Sequence, residues 1–323
     1  TTALGQNMRN TCTTADLGGQ LGPDVFLQVE CAFNDSVYDS DRDLIYATVP
    51  SAGGPNGNSV AIIDPTTGSI QGYIHVGSEP TDLSISGTGN RLYVALSEAN
   101  RFAEVDLQAQ ALVTSHTLVP DPTFGWPQFP VAVDASPAND TDVLIATDQS
   151  TVGYYSSGVQ ATNVVERASR VLDVFFNSTA DRGYAFTENR DHWSFDVDST
   201  GATNEIETRN VSLFGDVSIK NDILYGRGGN MLDPETATVV KSCPVGIHTG
   251  AEPDPGGAHI YYFQFAFDST ITVCDENTLS TENPFTVPRF GDGALYKTMT
   301  VAGARRLAIT GNSKMLLLDP SEF

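Results

Sequence analysis

Gly57-Asn-Ser-Val-Ala-Ile-Ile-Asp-Pro-Thr-Thr-Gly68 carries the reading of the fold. Ser59 to Ile63 is a short apolar, β-branched run, which suits a strand covered on both faces. Asp64-Pro-Thr-Thr-Gly68 is turn chemistry: a carboxylate that can accept the next amides, a proline of fixed φ and a glycine. Ser69-Ile-Gln-Gly-Tyr-Ile-His-Val76 then alternates as a half-buried strand does. A second apolar strand, Leu44-Ile-Tyr-Ala-Thr48, precedes the segment.

This unit recurs. Further copies end at Asp106, near Tyr155 (without the Asp), and at Asp196, Asp233, Asp275 and Asp319. Asp64 and Asp319 are 255 residues apart over six intervals, a mean of 42.5. Each copy has a preceding strand with an aromatic or branched centre, such as Arg91-Leu-Tyr-Val-Ala95 or Gly183-Tyr-Ala-Phe186. A shorter strand opens the unit, as in Asp82-Leu-Ser-Ile-Ser86 and Asp173-Val-Phe-Phe176. Four strands in roughly 40–45 residues is the blade of a β-propeller, and no helical period is sustained. The expectation is an all-β, seven-bladed β-propeller of four-stranded antiparallel blades, stacked in a ring because a lone blade cannot cover both its faces. The last copy stops short of a fourth strand. Residues 1–24 are therefore expected to be an extension that latches the ring, and 25–323 the propeller as a single domain.

With Val76-Gly-Ser-Glu-Pro80 and Gly87-Thr-Gly-Asn-Arg-Leu-Tyr-Val94, the opening segment resembles the YVTN-type β-propeller repeat, over most of the chain and with degenerate later copies. The resemblance implies a bacterial secreted or cell-surface propeller of unassigned activity. Related rings include lactonases and a streptogramin lyase, so an enzyme enters by analogy alone.

The 323 residues hold 17 Lys+Arg against 40 Asp+Glu, a net charge of −23. That balance argues against nucleic acid or an anionic membrane surface as partner. No apolar stretch approaches a membrane span, so membrane insertion is not expected. Only four residues are lysines, Lys220, Lys241, Lys297 and Lys314, which suits either a saline setting or plain solubility. The four cysteines form no CxxC pair, which disfavours a zinc site. Their spacing predicts Cys12–Cys31 and Cys243–Cys274 disulfides in an oxidising compartment. No signal peptide is present, and the chain reads as a mature form or an excised piece of a secreted or surface protein. Asn34, Asn139, Asn177 and Asn210 head N-glycosylation triplets.

Asp82 precedes Tyr93 by eleven residues, and Asp173 precedes Tyr184 by eleven. Glu30 and Asp216 read as their counterparts after a longer and a shorter turn. Four carboxylates on channel-lining first strands could hold Ca²⁺ or another hard cation, or could accept amide hydrogens from the neighbouring blade and stitch the ring. Asp39-Ser-Asp-Arg-Asp43 reads as a solvated turn. Arg190-Asp191-His192-Trp193 is the most enzyme-like string, yet adjacent strand residues face opposite ways, so His192 reads as surface. No nucleophile elbow, phosphate loop or dinucleotide fingerprint occurs. Asp121-Pro-Thr-Phe-Gly-Trp-Pro-Gln-Phe-Pro130 places Phe124, Trp126 and Phe129 among prolines, either as a recognition loop or as a plug over the channel.

The function expected is a non-enzymatic extracellular or cell-surface propeller for binding, adhesion or assembly, with a protein or glycan partner and a capacity for self-association. Two alternatives stand beside it: a metal-assisted hydrolase or lyase at the channel mouth, and a lectin-like glycan binder.

Overall fold

The computed structural model describes residues 12–16, 26–121, 124–166, 169–213, 217–265, 269–287, 296–302 and 306–319. The chain is a multi-bladed, β-propeller-like all-β fold. Its recurring element is four antiparallel strands hydrogen-bonded in chain order. The first such sheet is Ser36–Asp39, Leu44–Val49, Ser59–Ile63 and Ile70–His75, and the next is Pro80–Ile85, Arg91–Leu96, Arg101–Asp106 and Ala111–Thr117. Two more lie at 217–242 and 250–286. Between 130 and 208 the sheet is eight-stranded: two antiparallel runs of four meet at a single parallel bridge, Asn163 to Gly201. Gly201 has a φ of 114°, and a Cβ there would lie 2.1 Å from the Asn163 carbonyl oxygen, so the bridge requires glycine.

Strand position decides composition. The middle strands are covered on both sides, so Leu44–Val49 and Ser59–Ile63 are buried at every residue. The outermost strands are half wet, and Thr238–Ser242 is exposed throughout. Apolar clusters fill the spaces between consecutive sheets, as where Tyr46, Val60 and Ile62 meet Leu83, Leu92 and Val94. A tyrosine in the second strand also reaches into the next unit: Tyr93 Oη donates to the Asp140 carbonyl at 2.6 Å, and Tyr225 Oη to Glu276 at 2.8 Å.

The ring is closed from both termini. Strands Tyr296–Ala302, Arg306–Gly311 and Met315–Leu318 are completed by Phe26–Glu30, which pairs antiparallel with Met315–Leu318. Thr13–Asp16 adds a fifth strand outside it. Val29, Ala308 and Leu317 then pack against Ile45, Ala61 and Ile63 of the first sheet. The latch expected within residues 1–24 is thus supplied by a later segment, and the first sheet opens at Ser36 rather than near Val25. Residues 1–11 and 17–25 lie outside the described residues.

Both expected disulfides are formed. Cys12–Cys31 ties the two N-terminal strands together. Cys243, just past an outermost strand, bonds Cys274 in the third strand of the next sheet and staples the two. They fit an oxidising environment. Among the described residues no helix is long and apolar enough to cross a membrane.

The staple encloses a sequence separation of 31. Cys243→Ala with Cys274→Ala should cost about 3 kcal/mol by the chain-entropy argument. Chemical denaturation without reductant, against the parent, measures it.

Candidate functional site

The first strand of each unit faces the axis. Several of these strands carry a register irregularity near their start, at Pro80/Leu83, Pro130/Ala132, Val171/Asp173 and Tyr296/Thr298. Such bulges re-aim side chains. Here they lie where the chain enters a cavity of ≈ 210 Å³ on the axis, to which all six sheets or their entry segments contribute. Asp35, Asp82 and Asp173 line it, with Thr298 and Ser218 among their neighbours.

Two of the four expected carboxylates, Asp82 and Asp173, therefore meet at the axis. Glu30 does not. It ends the closing strand on the outer side of the last sheet, hydrogen-bonded by Gln28. Asp216 lies outside the described residues. The first unit's acid is Asp35, and its signal was present: it precedes Tyr46 by the same eleven residues. Asp134 and Glu252 also belong to the first strands and were missed, because they lie nearer the second strand than the eleven-residue spacing marks: Asp134 is ten residues before Leu144 and Glu252 nine before Tyr261.

The carboxylates are engaged with neighbouring units. Leu83 N–H donates to Asp35 Oδ2 at 3.3 Å, Val133 N–H to Asp82 Oδ2 at 2.6 Å, and Phe176 N–H to Asp134 Oδ2 at 2.7 Å. Ser84 Oγ donates to Asp134 Oδ1 at 2.9 Å, and Ser218 Oγ to Glu252 Oε2 at 2.6 Å. Thr300 Oγ1 continues the stitching across the closure by donating to the Ser36 carbonyl at 2.7 Å.

Burial makes charge expensive here. It holds Asp35 above the usual carboxylate range, against a hydrogen bond from Asp82. Asp82 stands well above that range, first through burial, then through the charge of Asp35, their shared hydrogen bond and the charge of Asp173. A hydrogen bond between two carboxyls needs a proton on one of them. Burial also pushes Asp134 up to about 6 and Glu252 up to about 8, the latter helped by Asp35. Among the described residues no group of three or more His, Cys, Asp or Glu side chains is placed to hold a metal ion.

His192 departs from its expected surface position. It is buried, it stacks on Tyr184 and packs at a tilt against Phe186 with centroids at 5.9 and 5.0 Å, and neither ring nitrogen has a hydrogen-bond partner. Burial lowers it to about 4, so it is a neutral packing group at physiological pH.

The second candidate is the aromatic loop, of which residues 122 and 123 lie outside the described set. Asp121 organises it. Its carboxylate accepts from Phe124 N–H at 2.6 Å, its carbonyl from Gly125 N–H at 2.8 Å, and its own N–H donates to the Trp126 carbonyl at 2.8 Å. Gly125 turns the chain at φ 70° with open space around it. Phe124 and Trp126 stack with centroids 5.0 Å apart, yet remain 66% and 57% exposed. Phe129 is an anchor: its N–H donates to Asp148 Oδ1 at 2.9 Å, and its carbonyl accepts from Asp148 N–H. Buried Gln128 accepts from Thr147 Oγ1 at 2.7 Å.

Fold and axial cavity together define a β-propeller-like protein. No family model matches the chain, and no curated protein matches it. Among solved structures it is similar to Kuenenia stuttgartiensis Hydrazine Synthase, with a TM-score of 0.65 at 14% identity, covering 95% of this chain and 99% of that one. At that identity the likeness is one of fold.

Glu252 sets a pH test. Its folded pKa is raised to about 8 from 4.5, so its contribution to stability is full below about 4.5 and lost as pH rises through 8. The melting temperature should fall from pH 6 to pH 9. Glu252→Gln keeps an acceptor for Ser218 and removes the charge, so that slope should flatten. An equal slope in the variant would mean that Glu252 is not the titrating group.

Proposed function

We propose that the chain is a seven-bladed β-propeller of YVTN type that works outside the cytoplasm as a non-enzymatic binding module, and that its contact surface is the 121–129 loop. Seven copies of the repeat support the count, and two disulfides support an oxidising compartment. The observation that carries the binding reading is the Phe124–Trp126 stack. Two large apolar rings stand in water on a turn already fixed by Asp121, so little ordering entropy remains to be lost on contact. Val119, 50% exposed, extends the apolar surface toward the preceding strand. The partner is a protein with an apolar centre and a basic rim, since the chain's −23 charge repels acidic surfaces and steers basic ones.

The hydrolase or lyase alternative draws support from the adjacent Asp35 and Asp82 carboxyls, both raised above the usual carboxylate range by burial. The non-enzymatic reading is favoured because Asp35, Asp82 and Asp134 already accept main-chain amides from the next unit, which is a structural use of their lone pairs.

Phe124→Ala with Trp126→Ala tests the proposal. Partners captured by the immobilised parent from extracellular material should lose binding by at least about tenfold, since truncating a central aromatic anchor costs roughly 2 kcal/mol or more. The melting temperature should not change. Undiminished capture would remove the loop from the binding surface. Retention by free oligosaccharides in place of protein would convert the reading to the lectin-like one.

A further inference from the structure

Four Asn-x-Ser/Thr triplets are equivalent in sequence, and the fold separates them. N-glycosylation replaces one hydrogen of the carboxamide nitrogen with a bulky sugar, so the acceptor must be exposed and its amide must be dispensable to the fold.

Three of the four fail that test. Asn34 lines the axial cavity, and its Nδ2 donates to the Pro80 carbonyl at 2.8 Å, across to the next sheet. A glycan would have to leave through a space of ≈ 210 Å³. Asn139 is the centre of a turn: Oδ1 accepts from Thr141 and Asp142 N–H at 2.9 and 3.0 Å, while Nδ2 donates to Asp142 Oδ2 at 2.7 Å. Asn177 spends its whole carboxamide. Nδ2 donates to Thr179 Oγ1 at 2.8 Å and to Asp181 Oδ1 at 2.7 Å, and Oδ1 accepts from Asp181 and Arg182 N–H, both at 3.1 Å.

Asn210 differs in every respect. Its side chain is exposed, and its carboxamide makes no hydrogen bond among the described residues. Its main chain is nevertheless fixed. The N–H reaches Asp191 Oδ1 at 3.4 Å, the next N–H, of Val211, donates to the Arg190 carbonyl at 3.0 Å, and Val211 is buried. A φ of 54°, which asparagine tolerates better than most residues, makes the bend. Ser212, the hydroxyl residue of the triplet, is exposed, and only its carbonyl is engaged, by Asn230 Nδ2 at 2.8 Å.

We infer that Asn210 is the N-glycan acceptor of this chain and that Asn34, Asn139 and Asn177 are not. In the transfer, Asn210 Nδ2 bonds to the anomeric carbon of a polyprenyl-diphosphate-linked oligosaccharide. The carbon–oxygen bond to the diphosphate breaks, polyprenyl diphosphate leaves with the electron pair, and the nitrogen gives up one proton; nothing is oxidised or reduced. Residues 209–213 follow an outermost strand and lead toward the next first strand, Val217–Lys220, as 118–129 leads toward Pro130–Ala135 two units earlier. Both lead into the starts of first strands that line the axial cavity, at Val217 and Val131, so the sugar stands at the same end of the ring as Phe124 and Trp126.

The full chain secreted from cultured eukaryotic cells is the test material. Intact mass before and after peptide-N-glycosidase, with peptide mapping, should show one glycan and conversion of Asn210 alone to Asp. Ser212→Ala should be secreted, melt as the parent does and carry no glycan; Asn210→Gln should also be secreted without glycan, melting slightly lower because glutamine tolerates a φ of 54° less well than asparagine. A chain secreted without sugar, or sugar on Asn34, Asn139 or Asn177, overturns the inference.

Discussion

Every sheet in this molecule needs a neighbour on both faces. Leu44–Val49 and Ser59–Ile63 are buried at each position, and no arrangement of an isolated four-stranded sheet could make them so. The last sheet meets the demand only by recruiting Phe26–Glu30 from the other end of the chain. That pairing brings Val29 and Leu317 against Ile45 and Ile63. The clusters between the other sheets assume that this one exists, because an open ring would leave two apolar faces in water. Cys12–Cys31 fastens the segment that closes it.

The axis obeys a different economy. First strands are close together there, and their amides point toward neighbouring units with no continuous ladder to join. Asp35, Asp82 and Asp134 accept those amides one unit to the next, and Ser84, Ser218 and Thr300 add hydroxyl links. Carboxylates are effective acceptors but crowd one another. Burial first, and the nearby Asp35 charge second, make ionisation costly, and that is the physical sense of the raised Asp82 and Glu252 pKa values. One feature, an inward-facing acid, thus serves as a mechanical link and makes stability depend on pH.

The outer face carries the opposite chemistry. In a chain of net charge −23, with a surface rich in carboxylates, Phe124 and Trp126 are large apolar rings held in water by a short, fixed turn. Their loop, part of the twelve-residue connection 118–129, is anchored at its far end by Phe129, Gln128 and Asp148, which helps hold the two side chains in place. Loop-borne groups on a stiff scaffold are the usual carriers of recognition.

The repeat, the all-β class, both disulfide pairings and the channel positions of Asp82 and Asp173 were legible in the chain itself. All depend on local spacing: a strand period of two, an Asp turn, eleven residues from acid to tyrosine. Asp35 obeyed the same spacing, but Glu30 was taken in its place, because the sequence does not say which of two nearby strands faces the axis. The closing strand, the burial of His192, the anchoring role of Phe129 and the difference between Asn210 and the other three asparagines were set by tertiary structure alone. Each is a matter of what lies across a gap from the residue, at a separation in the chain of up to nearly its whole length, as between Val29 and Met315. Local propensity determines the strands and turns; which sheet a strand joins, and whether a polar side chain meets water or a partner, is decided only when the ring closes and every apolar face is covered.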